Sequence, residues 1–532
     1  MNKKNIIVIL LLLSLGVLLY IPSLQNQFVS DDVGGILNNS NIASFKSVKD
    51  QPLSFLQPLI YFVTYKVFGL NALFFRLPSI IFHVSSSIVL YGILVLIAGF
   101  EAAIISSFLF LFHPLLTESV VWISAGSYPR YTFFLLLSFF LYLIGEKKKK
   151  VIWYLVSLFS FIMAVFSSEK AIFFPLILLL FIHVRNLAKK DQEKLVPFFL
   201  ISLLTALPKV FQIQTRIAET TIQYGSQSTV YNNPLVQIPL AISTYLSLIF
   251  WPFKLELFHT ENSLTLINVL IFFSYLAVTV FFYLKDKKIF FWLGFFIIAL
   301  LPTLIPIKVA SPIAERYAYF ASIGIFVSFT LIVMKVLKKD RFKKAGFVLM
   351  LVILFALAGR TWLRISDWKN EETLALSGSK ISEKKLSNLM NLGNVYVRQR
   401  NYHEAVKQYS EAIKIAPTYA KAYNNLGYAY SQIGELNLAV ANLERGLQIN
   451  PNLWEAYDNL AAIYTILQQY DKALIYMKKA INLSKQNNEL YIHLGIIYQR
   501  KGDKEKAKDA FETVLKFDPN NKQAQAGLDN LR

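Results

Sequence analysis

Two adjacent carboxylates, Asp31 and Asp32, stand just past the first apolar segment of the chain. Acidic groups at a membrane surface are costly to desolvate, and in a cleft between helices they are placed to accept protons. Further along, Glu118 ends the run His113-Pro-Leu-Leu-Thr-Glu118 and Arg130 opens an apolar segment. Glu169-Lys170 sit at a tight turn, and Glu315-Arg316 precede Tyr317. This set suits departure of a phosphate from a lipid and attack by a hydroxyl. Arginine clasps a phosphate through two N–H groups, lysine offers a point charge, and a carboxylate takes the proton of the attacking hydroxyl. Taken singly, each charge also reads as a loop or snorkelling side chain, and Glu118 as an acid favoured at a helix start. What joins them is that they fall on the same side of the membrane.

That sidedness comes from charge placed between apolar segments. The 532 residues are 55% hydrophobic and 16% charged, with 44 phenylalanines, a composition foreign to a single soluble globule. About eleven apolar segments between residues 6 and 361 approach the ~17–25 residues a helix needs to span a bilayer. The net charge of +21 is concentrated in clusters at 147–150, 185–194, 285–288 and 335–344. This is the positive-inside pattern of cytoplasmic loops and argues against nucleic acid as a partner. With Lys3 and Lys4 holding the N-terminus inside, eleven crossings put the carboxylates, residues 113–130, 167–170, 212–238 and 308–316 on one outer face. The C-terminus then also lies outside.

Three stretches fit that scheme less simply. Residues 238–252 are apolar but short, and read as a re-entrant or interfacial helix. Residues 44–70, interrupted by Pro52 and Pro58, read as an outer loop with amphipathic helices lying on the bilayer. Residues 1–23 lack a small-residue cleavage pair and read as an uncleaved first helix. His83 lies in an apolar run and reads as a packing or hydrogen-bonding residue. Lys209 and Arg216 read as headgroup contacts.

From about residue 387 the pattern changes to a 34-residue period. Gly393, Gly427, Ala461 and Gly495 share one register; Ala405, Ala439, Ala473 and Ala507 share another; and Tyr396, Tyr430, Tyr464 and Tyr498 a third. Pro417, Pro451 and Pro519 mark the ends of second helices. The stretch is identified as four tetratricopeptide repeats with a capping helix, helix–turn–helix units stacked into a solenoid with a concave groove. That groove is expected to hold a polypeptide acceptor, with Tyr396, Asn424, Tyr430 and Asn459 as contacts. The fold class expected is all-α, with a polytopic membrane domain over 1–362, a linker helix over 363–386 and the repeats over 387–532.

The ordered motifs carry a resemblance. They run Phe28-Val-Ser-Asp31-Asp32, Gln57-Pro58-Leu59, His83, His113-Pro114 with Thr117-Glu118, Ser168-Glu169-Lys170, Trp251-Pro252 and Ala314-Glu315-Arg316-Tyr317, then residues 360–368 and tandem repeats. In order and spacing this resembles the transmembrane-and-tetratricopeptide-repeat O-mannosyltransferases and their bacterial relatives, within the C-type glycosyltransferase superfold. The resemblance covers essentially the whole chain. It implies inverting transfer of a sugar from a polyprenyl-phosphate donor to a protein Ser or Thr hydroxyl on the extracytoplasmic face of the cell membrane. It further implies that Asp31 or Asp32 is the base, that Arg316 with Lys170 or Arg130 holds the donor phosphate, and that His113, Glu118, Glu169 and Glu315 support them.

The chain departs from the family at Gln57, where relatives commonly carry Arg, and at Leu116, where they commonly carry a second His. After Trp251-Pro252 it lacks the usual Ser and Asp-Tyr. These changes bear on the sugar and the donor contacts. No cofactor or metal is expected, because no His/Asp cluster has metal-ligand spacing. The absence of cysteine excludes disulfides and thiolate chemistry. No phosphate-binding glycine loop, Gly-x-Ser-x-Gly elbow or His-Glu-x-x-His run occurs. Two alternatives stay open: an enzyme glycosylating cell-envelope glycan or lipid, and a non-enzymatic membrane-anchored repeat scaffold.

Overall fold

The computed structural model describes residues 2–187, 192–211, 233–256, 264–304, 313–336, 340–381, 386–485, 487–518 and 521–531. Much of the expected outer stretches 212–238 and 308–316 therefore lies outside the described residues, as do Arg216, Lys308, Pro519 and the side chain of Lys209. The chain divides into two compact units, Met1–Leu374 and Ala375–Arg532, and regular structure among the described residues is helical throughout.

Among the described residues of the first unit seven helices are long and apolar enough to cross a membrane: Lys3–Gln25, Ala72–Ile97, Ile123–Lys148, Leu266–Lys285, Lys287–Leu304, Glu315–Val336 and Gly346–Asp367. Phe100–Phe112 and Pro114–Val121, bent by 50° at a short break, make an eighth if the pair is one span. Val151–Ser167, Val196–Pro208 and Pro234–Phe250 are apolar but shorter. The unit is that of a multi-pass membrane protein. Leu266, Ile267 and Leu284 on the fourth of the long helices are 73%, 68% and 74% exposed, a pattern suited to lipid rather than water.

Pro234–Phe250 covers the stretch expected to be re-entrant, and it buries Leu240, Ala241, Tyr245 and Ile249. The interrupted loop at 44–70 forms the short turns Lys46–Lys49 and Pro52–Ser54, then the helix Leu56–Phe68. His83 is buried and bonds Tyr319 Oη at 2.6 Å and the Leu111 carbonyl oxygen at 3.2 Å, tying three helices together. The helix Asp340–Asp367 runs past the expected end of the membrane domain at 362.

The second unit repeats one helical pair four times: Leu386–Arg398 with Tyr402–Ile415, Ala420–Gln432 with Leu436–Ile449, Trp454–Ile466 with Tyr470–Leu483, and Asn488–Lys501 with Lys504–Phe517. Lys522–Asp529 follows as a further helix. Ala405, Ala439, Ala473 and Ala507 are fully buried. The small-residue register has a steric cause, since a Cβ on Gly495 would approach the Phe511 ring to 2.6 Å. Each pair turns through a left-handed residue, also 34 apart: Arg400 (φ 59°), Gly434 (φ 88°), Gln468 (φ 58°) and Gly502 (φ 90°). Glycine adopts that conformation freely, whereas Arg400 and Gln468 are strained in it.

Candidate active site

A run of buried polar residues lies along one short piece of the first unit, residues 113–130: His113, Thr117, Glu118, Ser119 and Arg130. His113 ends the helix Phe100–Phe112 and caps the turn Pro114–Leu116, its Nδ1 accepting from the Leu115 amide at 3.2 Å. The other ring nitrogen then donates to the Ile249 carbonyl oxygen at 2.9 Å, a tautomer set by these two partners. Both nitrogens are thus committed to backbone. The helix Thr117–Val121 carries Glu118, the turn Ile123–Ala125 carries Ser124, and the helix Ser127–Lys148 opens with Tyr128 and Arg130. Gly126 permits the sharp entry to that helix, because a Cβ there would meet Ser79 Oγ at 2.7 Å.

The two adjacent aspartates part company. Ser30 is left-handed (φ 55°) and its amide donates to Glu371 Oε1 at 3.3 Å. Past this bend Asp31 is exposed, while Asp32 is fully buried. Asp32 Oδ1 accepts from the Ser124 amide at 2.8 Å and from Ser124 Oγ at 2.5 Å, and Oδ2 accepts from the Val29 amide at 3.4 Å. Burial raises the Asp32 pKa above the usual carboxylate range; the Ser124 and Val29 hydrogen bonds and the charge of Arg76 act against that rise. Tyr61 lies nearby, its own phenol pushed upward by burial and by the Asp32 carboxylate.

Arg130, 3% exposed, joins this aspartate-centred group. It donates to Gln57 Oε1, Gln57 in turn bonds Tyr61, and Tyr61 donates to the Ile123 carbonyl oxygen at 3.1 Å. Arg130, one of the two alternatives expected beside Arg316, thus bonds Gln57.

Arg316 and Lys170 come together instead around two tyrosines. Lys170 lies 5.2 Å from the Tyr128 ring centre and 5.6 Å from that of Tyr317. Arg316 lies 5.2 Å from the Tyr317 ring centre and 5.1 Å from that of Trp122, and its Nη1 donates to Glu118 Oε1 at 2.6 Å. Tyr317 is therefore shared by two cations. No carboxylate among the described residues lies within 4 Å of Lys170. Glu118 Oε2 is buried without a partner among the described residues, as are Thr117 Oγ1, Ser119 Oγ and Trp122 Nε1. Buried polar atoms left this way imply water or a ligand beside them. Glu169 is half-buried and near enough to Tyr128 to act on it electrostatically. Glu315 is fully buried and pairs with Arg364 at 3.3 Å, which also holds Asp367 at 3.1 Å.

The two groups meet on one turn: Trp122 stacks beneath Arg316, and Ser124 holds Asp32. Sequence reasoning did not single out Arg76, Ser124, Tyr61, Tyr128 or Trp122. No group of three or more potential metal ligands occurs among the described residues. In the second unit Asn459 Nδ2 donates to Asn424 Oδ1 at 3.0 Å, so these two groove candidates bond each other. Tyr396 and Tyr430 are partly buried against the apolar clusters between repeats.

Fold and site together describe a multi-pass helical membrane protein with a tetratricopeptide array. The family model described as a TPR repeat matches residues 393–434, and models of the tetratricopeptide repeat match 420–453 and 453–520. The chain is 22% identical over 480 residues to Protein O-mannosyl-transferase TMTC3 of Homo sapiens, covering 78% of this chain and 52% of that protein. It is 25% identical over 449 residues to Protein O-mannosyl-transferase F38B6.6 of Caenorhabditis elegans, covering 77% and 63%. The human and mouse TMTC3 proteins are about twice as long as the part this chain matches, so it spans about half the length of those relatives. Relatives and repeat models together support a transmembrane-and-tetratricopeptide-repeat O-mannosyl-transferase-like family. Among solved structures, the repeats are similar to a thermophilic TPR protein of Thermus thermophilus, at 21% identity over 34% of this chain and 94% of that chain, TM-score 0.29. They are also similar to MamA, at 25% identity over 27% and 84%, TM-score 0.25.

Proposed function

We propose that the chain is an integral membrane glycosyltransferase that moves a sugar, mannose on the relatives' names, from a polyprenyl-phosphate donor to a Ser or Thr hydroxyl of a protein on the extracytoplasmic face. The observation that carries this reading is the turn 122–124, which joins a buried carboxylate to a pair of cations around Tyr317. Asp32 takes the proton of the acceptor hydroxyl as its oxygen attacks the anomeric carbon. The bond from that carbon to the phosphate oxygen breaks on the opposite side, and its electron pair leaves with the phosphate, inverting the anomeric centre. Lys170 and Arg316 neutralise the charge that develops there. The repeats hold the acceptor polypeptide, and Lys3 and Lys4 keep the N-terminus in the cytoplasm.

The test is transfer of radiolabelled mannose from polyprenyl-phosphate to membrane proteins, followed by alkaline β-elimination. Label released from Ser and Thr supports the reading. Label confined to lipid or cell-envelope glycan shifts the acceptor to those polymers, and no transfer from any polyprenyl-phosphate sugar favours the scaffold.

A further inference from the structure

Arg76 sits in the second turn of Ala72–Ile97, flanked in sequence by Leu73, Phe74, Phe75 and Leu77, and is fully buried. A guanidinium in such a place persists only if its N–H groups are satisfied. Here Nε donates to the Val121 carbonyl oxygen at 2.6 Å. Nη1 donates to the carbonyl oxygens of Ser23 at 2.9 Å and Asn26 at 2.8 Å, and Nη2 to that of Gln27 at 2.9 Å. These four bonds join two strips of chain. One leads five residues onward from Gln27 to Asp32; the other leads three residues onward from Val121 to Ser124. The carboxylate and its hydroxyl partner are thus hung from one rigid fork. No carboxylate among the described residues lies within 4 Å of Arg76, and the acid that feels its charge is Asp32.

We propose that Arg76 is a positioning residue for the acceptor base: its fork fixes the register between the Asp32 segment and the Ser124 turn. The proposal rests on the reading of Asp32 as that base. The groups facing Asp32 are Arg76 from Ala72–Ile97 and Tyr61 from Leu56–Phe68, with Arg130 behind Tyr61; Asp31 on the same turn points to solvent. Removing the Arg76 charge raises the Asp32 pKa, so activity falls away at a higher pH. Replacing the fork by a lysine keeps the charge and loses the clamp.

The experiment uses the full chain in lipid nanodiscs, comparing wild type, Arg76→Lys and Arg76→Met. The readouts are the pH profile of mannose transfer and an infrared titration of the Asp32 carboxyl stretch, assigned by its loss in Asp32→Asn. Arg76→Met is expected to lower kcat by about 100-fold with the donor KM unchanged. Its acid limb and its carboxyl titration should both move up in pH. Arg76→Lys is expected to lower kcat with the acid limb in place. An Asp32 titration in Arg76→Met that matches wild type overturns the proposal, as does wild-type kcat in Arg76→Lys. Should Arg76→Met fail to insert, the lysine variant decides. No transfer by wild type is a failure of the functional reading alone, since the infrared titration still reports the coupling.

Discussion

Arg76, Asp32, Glu118, Glu315 and Arg364 in the membrane unit are each no more than 1% exposed, whereas the ion-paired lysines Lys414 and Lys506 of the repeats are 70% and 61% exposed. Among the described residues, the buried polar side chains of the repeat unit are neutral: Asn388, Asn424 and Thr465. Stripping water from an ion costs several kcal/mol, and partners recover that only with good geometry. The repeats avoid this cost and derive their stability from a repeated apolar interface. The membrane unit accepts it at those five positions and at Arg130 and Glu256, which are 3% and 6% exposed. The difference accords with the proposed division of chemistry to the first unit and recognition to the second.

Substitutions should follow that division. Arg364→Met removes the buried cation that pairs with the fully buried Glu315, and is expected to destabilise the membrane unit by about 3–5 kcal/mol. Lys414→Met, which breaks the exposed pair with Glu411, should change repeat stability by no more than about 0.5 kcal/mol. Denaturant unfolding in detergent, following both variants, checks the contrast; equal effects would erase it.

Within the repeats the sensitive points are steric. Gly495→Val forces a side chain into the Phe511 ring and is expected to cost about 1–3 kcal/mol, read from thermal unfolding of the repeat unit. Gln468→Gly acts in the other direction. It relieves a left-handed residue, offset by the greater freedom of glycine in the unfolded chain, and should stabilise by up to about 1 kcal/mol. Gly434→Ala, at the same turn one repeat earlier, should destabilise.

The smallest effect is a pH dependence. The hydrogen bond to Asp458 raises the His493 pKa against partial burial, helped by the Asp458 and Glu489 charges. A raised folded pKa contributes stability that is fully present below the unfolded value of about 6.5. It is lost as pH rises through the folded value. The side chain is 46% exposed, so the resulting fall in repeat melting temperature is small, and Asp458→Asn should flatten it.

Much of this division could be read from residue order. The 34-residue period shows directly because each repeat meets the same steric demand, visible in Gly393, Gly427, Ala461 and Gly495. The gathering of Lys170, Glu118 and Arg316 accords with the shared side of the membrane that the lysine clusters lead one to expect. Which aspartate turns inward was not legible, because that depends on the bend at Ser30, a residue type with no strong preference for it. Arg76 was silent for a different reason. In a linear reading it is one cation in an apolar run, while its partners are carbonyl oxygens 45 to 53 residues away. Backbone acceptors leave no trace in side-chain patterns. The bond of Arg130 to Gln57 was not legible either, because it spans 73 residues.

The most direct measurement compares wild type, Asp31→Asn and Asp32→Asn, at equal amounts of inserted protein, for mannose transfer from polyprenyl-phosphate to protein hydroxyls. The account predicts that Asp32→Asn loses about 10²–10⁴-fold in rate while Asp31→Asn retains most of it. Loss confined to Asp31→Asn, or equal transfer by all three, would contradict the assignment of the buried carboxylate as the base.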